Sequence, residues 1–273
     1  MPQIFDFDAY SSKEIAARVE TIGVAKARLP LLSMLMLSVL AGAFIGLGAL
    51  FFVLVRSDPT LGFAARQVLG GVVFSLGLIL VVVAGAELFT GNNLLAMAWA
   101  DGRISTRELL RNWAIVCIGN FIGAAGLALL VYLSGHTEMN NGAIAREYLS
   151  IAAAKVALPF WTALFKGMLC NVLVCMAVWM SLAGRSVVDK VVAIIFPISA
   201  FVAAGFEHSV ANMYLIPLAM LLQAFDGAGT GAAITWSGFV ANMLPVILGN
   251  ILGGSVLVGL VYHVIYLRAP DKA

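Results

Sequence analysis

The chain has 273 residues, of which 62% are hydrophobic and only 11% charged, and its mean hydropathy is +1.01. That composition excludes an ordinary soluble domain and points to a membrane protein. A formal net charge of +2, with no Lys/Arg block interleaved with aromatic residues, gives no footing for nucleic-acid binding.

The first 28 residues carry Asp6, Asp8, Lys13, Glu14, Arg18, Glu20, Lys26 and Arg28 with no apolar stretch among them, so no signal peptide is expected. Ser11 and Glu14 have the spacing of a capping box. Ile15, Val19 and Ile22 then share one face of a helix. Such a helix lies on the membrane surface or docks on a neighbour, unless it is a plain solvated end. Residues 1–28 are therefore expected to form a cytoplasmic amphipathic segment.

Six apolar stretches follow, at 29–55, 68–100, 113–133, 158–183, 191–225 and 238–267. The second, as one helix, would reach about 50 Å against roughly 30 Å of hydrocarbon, and the fifth is also too long. Both must break, and Gly85 with Gly91 marks the first break and Gly205 the second. Six crossings put both ends of the chain on one side. That side collects eleven basic residues, from Lys13 to Lys272, while the other holds Arg56, Arg66, Arg146 and Lys155. The richer side is cytoplasmic. The expected organisation is one channel domain at 29–267 and a short cytoplasmic tail at 268–273. Cys117, Cys170 and Cys175 all lie in apolar stretches and read as small core residues, with no metal spacing.

The two long stretches are interrupted by matching sequences. Gly85-Ala86-Glu87-Leu88-Phe89-Thr90-Gly91-Asn92 aligns with Gly205-Phe206-Glu207-His208-Ser209-Val210-Ala211-Asn212 at an offset of 120 residues. Further on, Asn112 matches Asn242, and Gly119-Asn120-Phe121-Ile122-Gly123 matches Gly249-Asn250-Ile251-Leu252-Gly253, at an offset of 130. The second half thus has a longer connector, holding Asp226 to Gly231. Each unit has three spans, so the halves are inverted, and inverted repeats with discontinuous helices hold their site near the midplane. The fold expected is an all-α membrane protein of six helices, in two inverted three-helix repeats, with helices two and five broken. Gly42, Gly46, Gly48, Gly119, Gly123, Gly249, Gly253 and Gly254 read as points of close helix approach.

Each break starts a new helix N-terminus inside the bilayer, and two such ends facing one centre favour an anion. Thr90 in one break and His208 in the other suit a small weak-acid anion. The hydroxyl donates a hydrogen bond, and the imidazole donates a hydrogen bond or a proton. A structural histidine and a capping threonine are the bland readings. An ionisable group inside a membrane is costly. Glu87 and Glu207, which would repel an anion, are expected to hold the breaks in shape by accepting backbone N–H groups. Phe74, Leu78, Leu88, Phe89 and Phe201 form apolar constrictions or ordinary packing. Lys155 and Lys166 draw anions into an outer vestibule or snorkel, and Asn171 and Asn212 complete a polar lining.

At these residues the chain resembles the formate/nitrite transporter family over nearly its whole length. VVAGAELFTG, ending at Gly91, fits the family's first signature at every position. GMLCNVLVCMA, starting at Gly167, fits the second except that Met176 stands where Leu or Val is usual. GFEHSVANM looks like the family's histidine-bearing break, while GRSVVDK and the stretch LPVILGNILGGSVLVGLVYHVIYLR look most like formate channels. GAELFTGN departs from the GADLFTS form of enterobacterial formate channels, which keeps nitrite and hydrosulfide open beside formate. The resemblance implies an aquaporin-like protomer in a homopentamer of the bacterial inner membrane, with a pore in each protomer and no cofactor. It implies a centre of His208 and Thr90, constrictions at Phe74, Phe89 and Phe201 outside and at Leu78 and Leu88 inside, and polar positions at Asn171 and Lys155. Whether the anion or its protonated acid passes stays open.

Two other classes fit less well. A neutral-solute aquaporin needs twin Asn-Pro-Ala motifs, where this chain has Gly91-Asn92-Asn93 and Ala211-Asn212-Met213. An intramembrane enzyme built on Glu87, Glu207 and His208 lacks a second histidine nearby, since His136 falls in a loop and His263 at a helix end; no enzyme activity and no bound metal are expected.

Overall fold

The computed structural model describes residues 9–227 and 233–268. Residues 1–8, most of the connector glycines at 228–231 and the tail at 269–273 lie outside the described residues. Among those described, every regular element is helical.

The chain opens with α1 (Ser12–Ala27), started by the Ser11/Glu14 capping box. Ile15, Ala16, Val19, Gly23 and Ala27 form its buried face, and Ile22 is half-buried. Then come α2 (Leu31–Arg56), α3 (Phe63–Phe74) and α4 (Leu76–Ala84). The last two run on as one apolar stretch, kinked at Ser75, whose hydroxyl donates to Gly71 O at 3.3 Å. The helix stops at Gly85, where φ is +80°. A 3-10 turn (Gly91–Leu95) and the short α5 (Ala96–Ala100) follow, then α6 (Thr106–Leu133), capped by Ser105 and Glu108.

The second half repeats this order. An amphipathic α7 (Ala143–Val156) precedes α8 (Phe160–Ser181), as α1 precedes α2. Helix α9 (Val187–Ala203) ends just before Gly205, where φ is +69°, and α10 (Ser209–Phe225) begins after His208. Only glycine takes such positive φ without strain, so the paired glycines set where each helix stops. The last stretch is α11 (Trp236–Ile251), a π-helical segment (Leu252–Leu260) and α12 (Val261–Tyr266).

Among the described residues, five helices are long and apolar enough to cross a membrane: Leu31–Arg56, Phe63–Ala84, Thr106–Leu133, Phe160–Ser181 and Trp236–Tyr266. The expected span at 191–225 is divided into α9 and α10 of 17 residues each. Neither reaches the length of a crossing alone, because about 20 residues are needed.

Glycines bring the long helices into backbone contact. A Cβ on Gly123 of α6 would collide with Val39 O of α2, and one on Gly253 would collide with Met168 O of α8. Gly42 faces Asn120 O, and Gly249 faces Leu164 O, in the same way. Small residues at such crossings allow the dense packing that holds helices together in lipid, where tails are as apolar as leucine. Replacing Gly123 or Gly253 by leucine forces the helices apart and is expected to cost at least about 1–3 kcal/mol. Gly126→Ala, whose Cβ meets nothing within 4 Å, serves as the control. Thermal unfolding in detergent should drop by several degrees for the first two and not for the third; equal melting of all three contradicts this packing account.

Candidate functional site

The breaks are built as two near-copies. In the first, the Glu87 N–H donates to Leu37 O of α2 at 3.2 Å, and the Phe89 N–H to the Asn120 side-chain oxygen of α6 at 2.9 Å. The Asn120 amide returns hydrogen bonds to Ser38 O at 2.7 Å and Glu87 O at 2.9 Å. In the second, Glu207 N–H donates to Lys166 O at 3.3 Å and Ser209 N–H to the Asn250 side-chain oxygen at 3.0 Å. Asn250 in turn donates to Gly167 O at 2.8 Å and Glu207 O at 3.0 Å. Backbone groups released by a break must find partners within the protein. Here one asparagine on a neighbouring helix serves each break.

The carboxylates are satisfied by side chains, not by the backbone N–H groups expected of them. Glu87 takes the Lys26 ammonium at 2.9 Å and the Asn92 amide at 2.7 Å. Asn92 also donates to Asn112 at 3.0 Å, and Asn112 donates to Lys26 O at 3.2 Å, which closes a ring. Glu207 takes Lys155 at 2.9 Å and Asn212 at 2.7 Å, Asn212 donates to Asn242 at 2.8 Å, and Asn242 donates to Lys155 O at 2.9 Å. The expectation fails because Asn120 and Asn250, with the carbonyls of Leu37 and Lys166, already absorb the N–H groups of the breaks. The carboxylates, both buried, are left to neutralise the lysines.

Lys26 was not among the expected site residues. Its signal is present, since Lys26-Ala27-Arg28-Leu29-Pro30 and Lys155-Val156-Ala157-Leu158-Pro159 share a Lys-x-x-Leu-Pro pattern. In each, the proline caps the following long helix, α2 or α8. The repeat thus covers both amphipathic helices as well as the spans.

Between the breaks, Thr90 Oγ1 lies 3.0 Å from His208 Nε2, and both side chains are buried. His208 Nδ1 accepts the Ala211 N–H at 3.1 Å as the N-cap of α10. A ring nitrogen that accepts carries no hydrogen, so a neutral His208 has its proton on Nε2 and donates it to Thr90. The threonine hydroxyl is then free to turn its own proton elsewhere. Behind it, Thr90 O accepts from the Asn171 amide at 3.2 Å and the Cys175 thiol at 3.4 Å. Gly254 of the π-helical segment lies against both these side chains.

Two cavities are lined by residues of the two breaks, and His208 borders the second of them. The first, of about 450 Å³, is walled by Gly85, Glu87, Leu88, Gly91, Leu78 and the α1 residues Val19, Ile22 and Lys26, among others. The second, of about 230 Å³, includes Phe74, Phe201, His208, Gly205, Glu207, Lys155 and Lys166. Leu78 and Phe74, one turn apart, thus face different cavities. The imidazole stacks on Phe201 (centroids 5.8 Å, 21° between planes), and Phe201 meets Phe74 edge-on at 5.7 Å.

Of the residues expected to line a path, Thr90, Phe89, Asn171 and Asn212 border neither cavity and are buried. Asn171 and Asn212 stand behind the wall, with their amides engaged by Thr90 O and by Glu207; Asn171 also donates to Asn93 at 2.7 Å and Asn250 O at 2.7 Å. The amide N–H groups, so engaged at the crossing of buried helices, fix the backbone and neighbouring side chains.

A formate/nitrite transporter family model matches residues 13–264. The chain is 41% identical to the formate channel FocA of Escherichia coli K12 over 277 residues, covering 97% of each. It superposes on a pentameric formate channel with formate bound (TM-score 0.82, 38% identity, 87% of this chain and 98% of that one). It also superposes on an ion channel described as of the FNT family (TM-score 0.84, 32% identity, 94% and 99%). With near-complete coverage on every comparison, the chain belongs to the formate/nitrite transporter family.

Proposed function

We propose that this protein is a membrane channel that passes formate, as a small monovalent weak-acid anion, through a dry centre formed by Thr90 and His208. The single observation that carries the reading is the 3.0 Å contact between Thr90 and His208, which joins the first break, whose residues wall cavity one, to the second, whose residues wall cavity two. A hydroxyl whose oxygen is already occupied by Nε2–H points its proton at the passing species, which an anion accepts and a cation does not. Relatives named as formate channels support formate as that anion.

In this reading the chain crosses the bacterial inner membrane six times, as two inverted three-helix repeats with both ends cytoplasmic. Helices α3/α4 with α5, and α9 with α10, are the broken crossings. Cavity one opens to the cytoplasm beneath α1 and cavity two to the outside beneath α7. Leu78 and Leu88 close the inner approach; Phe74 and Phe201 close the outer one, with Phe89 buried beside Thr90. Five copies assemble, each with its own pore; the pentameric structural neighbour supports that number. Nitrite and hydrosulfide share size and charge with formate, and a competition flux assay in vesicles of the purified protein ranks the three.

The histidine is part of the proton question. Lending a proton to the anion requires an imidazolium, which carries a hydrogen on Nδ1 as well and displaces the Ala211 N–H. Passage of the bare anion leaves that cap intact. Thr90→Val removes the donating hydroxyl, leaves Nε2–H without its partner and is expected to lower formate flux roughly two- to tenfold, on the order of one hydrogen bond of 0.5–1.5 kcal/mol. Thr90→Ser should retain most of it, and flux through Thr90→Val equal to the parent's counts against the centre. His208→Phe is expected to abolish proton-linked formate uptake read with a pH dye; unchanged uptake at low external pH removes the histidine from any proton step.

Glu87 and Glu207 act as scaffold. Glu207→Ala strands the Lys155 ammonium in a buried site and is expected to cost about 3–5 kcal/mol of stability. The pair Glu207→Leu with Lys155→Met, which leaves no charge behind, is expected to recover part of that loss. Melting of the purified oligomer measures both. A Glu207→Ala protein that melts like the parent yet shows an altered formate-to-nitrite flux ratio refutes the scaffold role.

A further inference from the structure

Cavity two holds three basic side chains, Arg56, Lys155 and Lys166. Two of them are committed. Arg56 is paired with Glu147 at 2.9 Å and also donates to Gln67. Lys155 is paired with Glu207 at 2.9 Å, with its side chain only 14% exposed. Lys166 is different. It borders the same cavity, it is half-buried, and among the described residues no carboxylate lies within 4 Å of its ammonium. It is the uncompensated charge of that wall.

The internal repeat supplies a reference. Lys166 O accepts the Glu207 N–H in the second break, and Leu37 O accepts the Glu87 N–H in the first. Leu37 and Lys166 are therefore equivalent positions, and Leu37 borders cavity one. There, among the described residues, the only charged wall residues are Lys26 and Glu87, which pair with each other at 2.9 Å. One cavity is thus neutral and apolar at this position, and its counterpart carries a free positive charge.

Resting on the anion-channel reading, we propose that Lys166 is the residue that captures the anion in cavity two and makes capture unequal on the two faces of the membrane. A fixed ammonium in a low-dielectric recess attracts anions and raises their local concentration, and salt weakens the attraction. It takes no part at the Thr90–His208 centre. Its effect falls on concentration dependence from one side. The maximal rate is unaffected.

The test is formate flux in membrane vesicles of both orientations, over a range of formate concentrations and at low and high ionic strength. Lys166→Gln is expected to raise the apparent KM about three- to tenfold from the cavity-two face, as expected for losing one nearby charge. The cavity-one face and the maximal rate should be unchanged. Raising salt should raise the parent's KM and leave the variant's alone. Lys166→Arg should behave as the parent, and Leu37→Lys should lower the KM from the cavity-one face. Melting of Lys166→Gln should match the parent's, since no bond is lost. An unchanged KM in Lys166→Gln, or one raised equally on both faces, overturns the assignment while parent flux leaves the channel reading standing. Parent vesicles that pass neither formate nor nitrite overturn both.

Discussion

A polar group inside the bilayer must find its partner within the protein, and the architecture of this chain is organised around that constraint. Ending α4 and α9 at Gly85 and Gly205 releases backbone N–H and C=O groups and places two glutamates in the interior, each a liability of several kcal/mol if left alone. The chain answers with one asparagine per break for the backbone, Asn120 and Asn250, and with one closed ring per break for the carboxylate. Each ring runs from a lysine on an amphipathic helix through the glutamate and two asparagines back to the carbonyl of the same lysine. The amphipathic helices α1 and α7 are thereby structural members of the helical core, because each donates the ammonium that neutralises a break.

The scaffold is a near-symmetric repeat, and the Thr90–His208 contact sits where the symmetry fails. At aligned positions, Leu88 faces His208 and Thr90 faces Val210. One break contributes the hydroxyl and the other the imidazole, so the centre holds a single donor chain, His208 to Thr90 and onward. The same principle separates Leu37 from Lys166 at the cavity walls. Paired scaffolding needs identical residues in both halves, since each break poses the same problem. A directional hydrogen bond needs two different residues.

Much of this was legible in the chain. The matched Gly-x-Glu sequences located both helix ends, because positive φ at Gly85 and Gly205 is what glycine permits. Ser11 and Glu14 announced α1, and the repeated Gly-Asn-x-x-Gly announced the tight crossings at α6 and α11. Other features escaped. α7 is too short and too polar to read as a span, although Ile144, Tyr148, Leu149 and Ala152 mark its buried face. Lys26 read as one of many charges in an amphipathic segment, because only its Lys-x-x-Leu-Pro match to Lys155 sets it apart from Lys13. The π-helical segment beside Thr90 has no periodic signature at all. Asn171 and Asn212 read as lining because a polar residue in an apolar run is read as facing a path; they lie behind the wall, holding backbone.

The sequence by itself determined the membrane class, the positions of the breaks, the residue types that meet there and the family. Hydrophobic length, glycine geometry and the cost of a buried charge act locally along the chain, and so they are visible in its order. Tertiary structure decided which partner each group takes: Lys26 for Glu87, Lys155 for Glu207, Nε2 of His208 for Thr90, and, among the described residues, no carboxylate for Lys166. Those choices depend on distances of about 3 Å between residues 52 to 118 positions apart. Only the crossing of the helices sets such distances, and no local pattern encodes them.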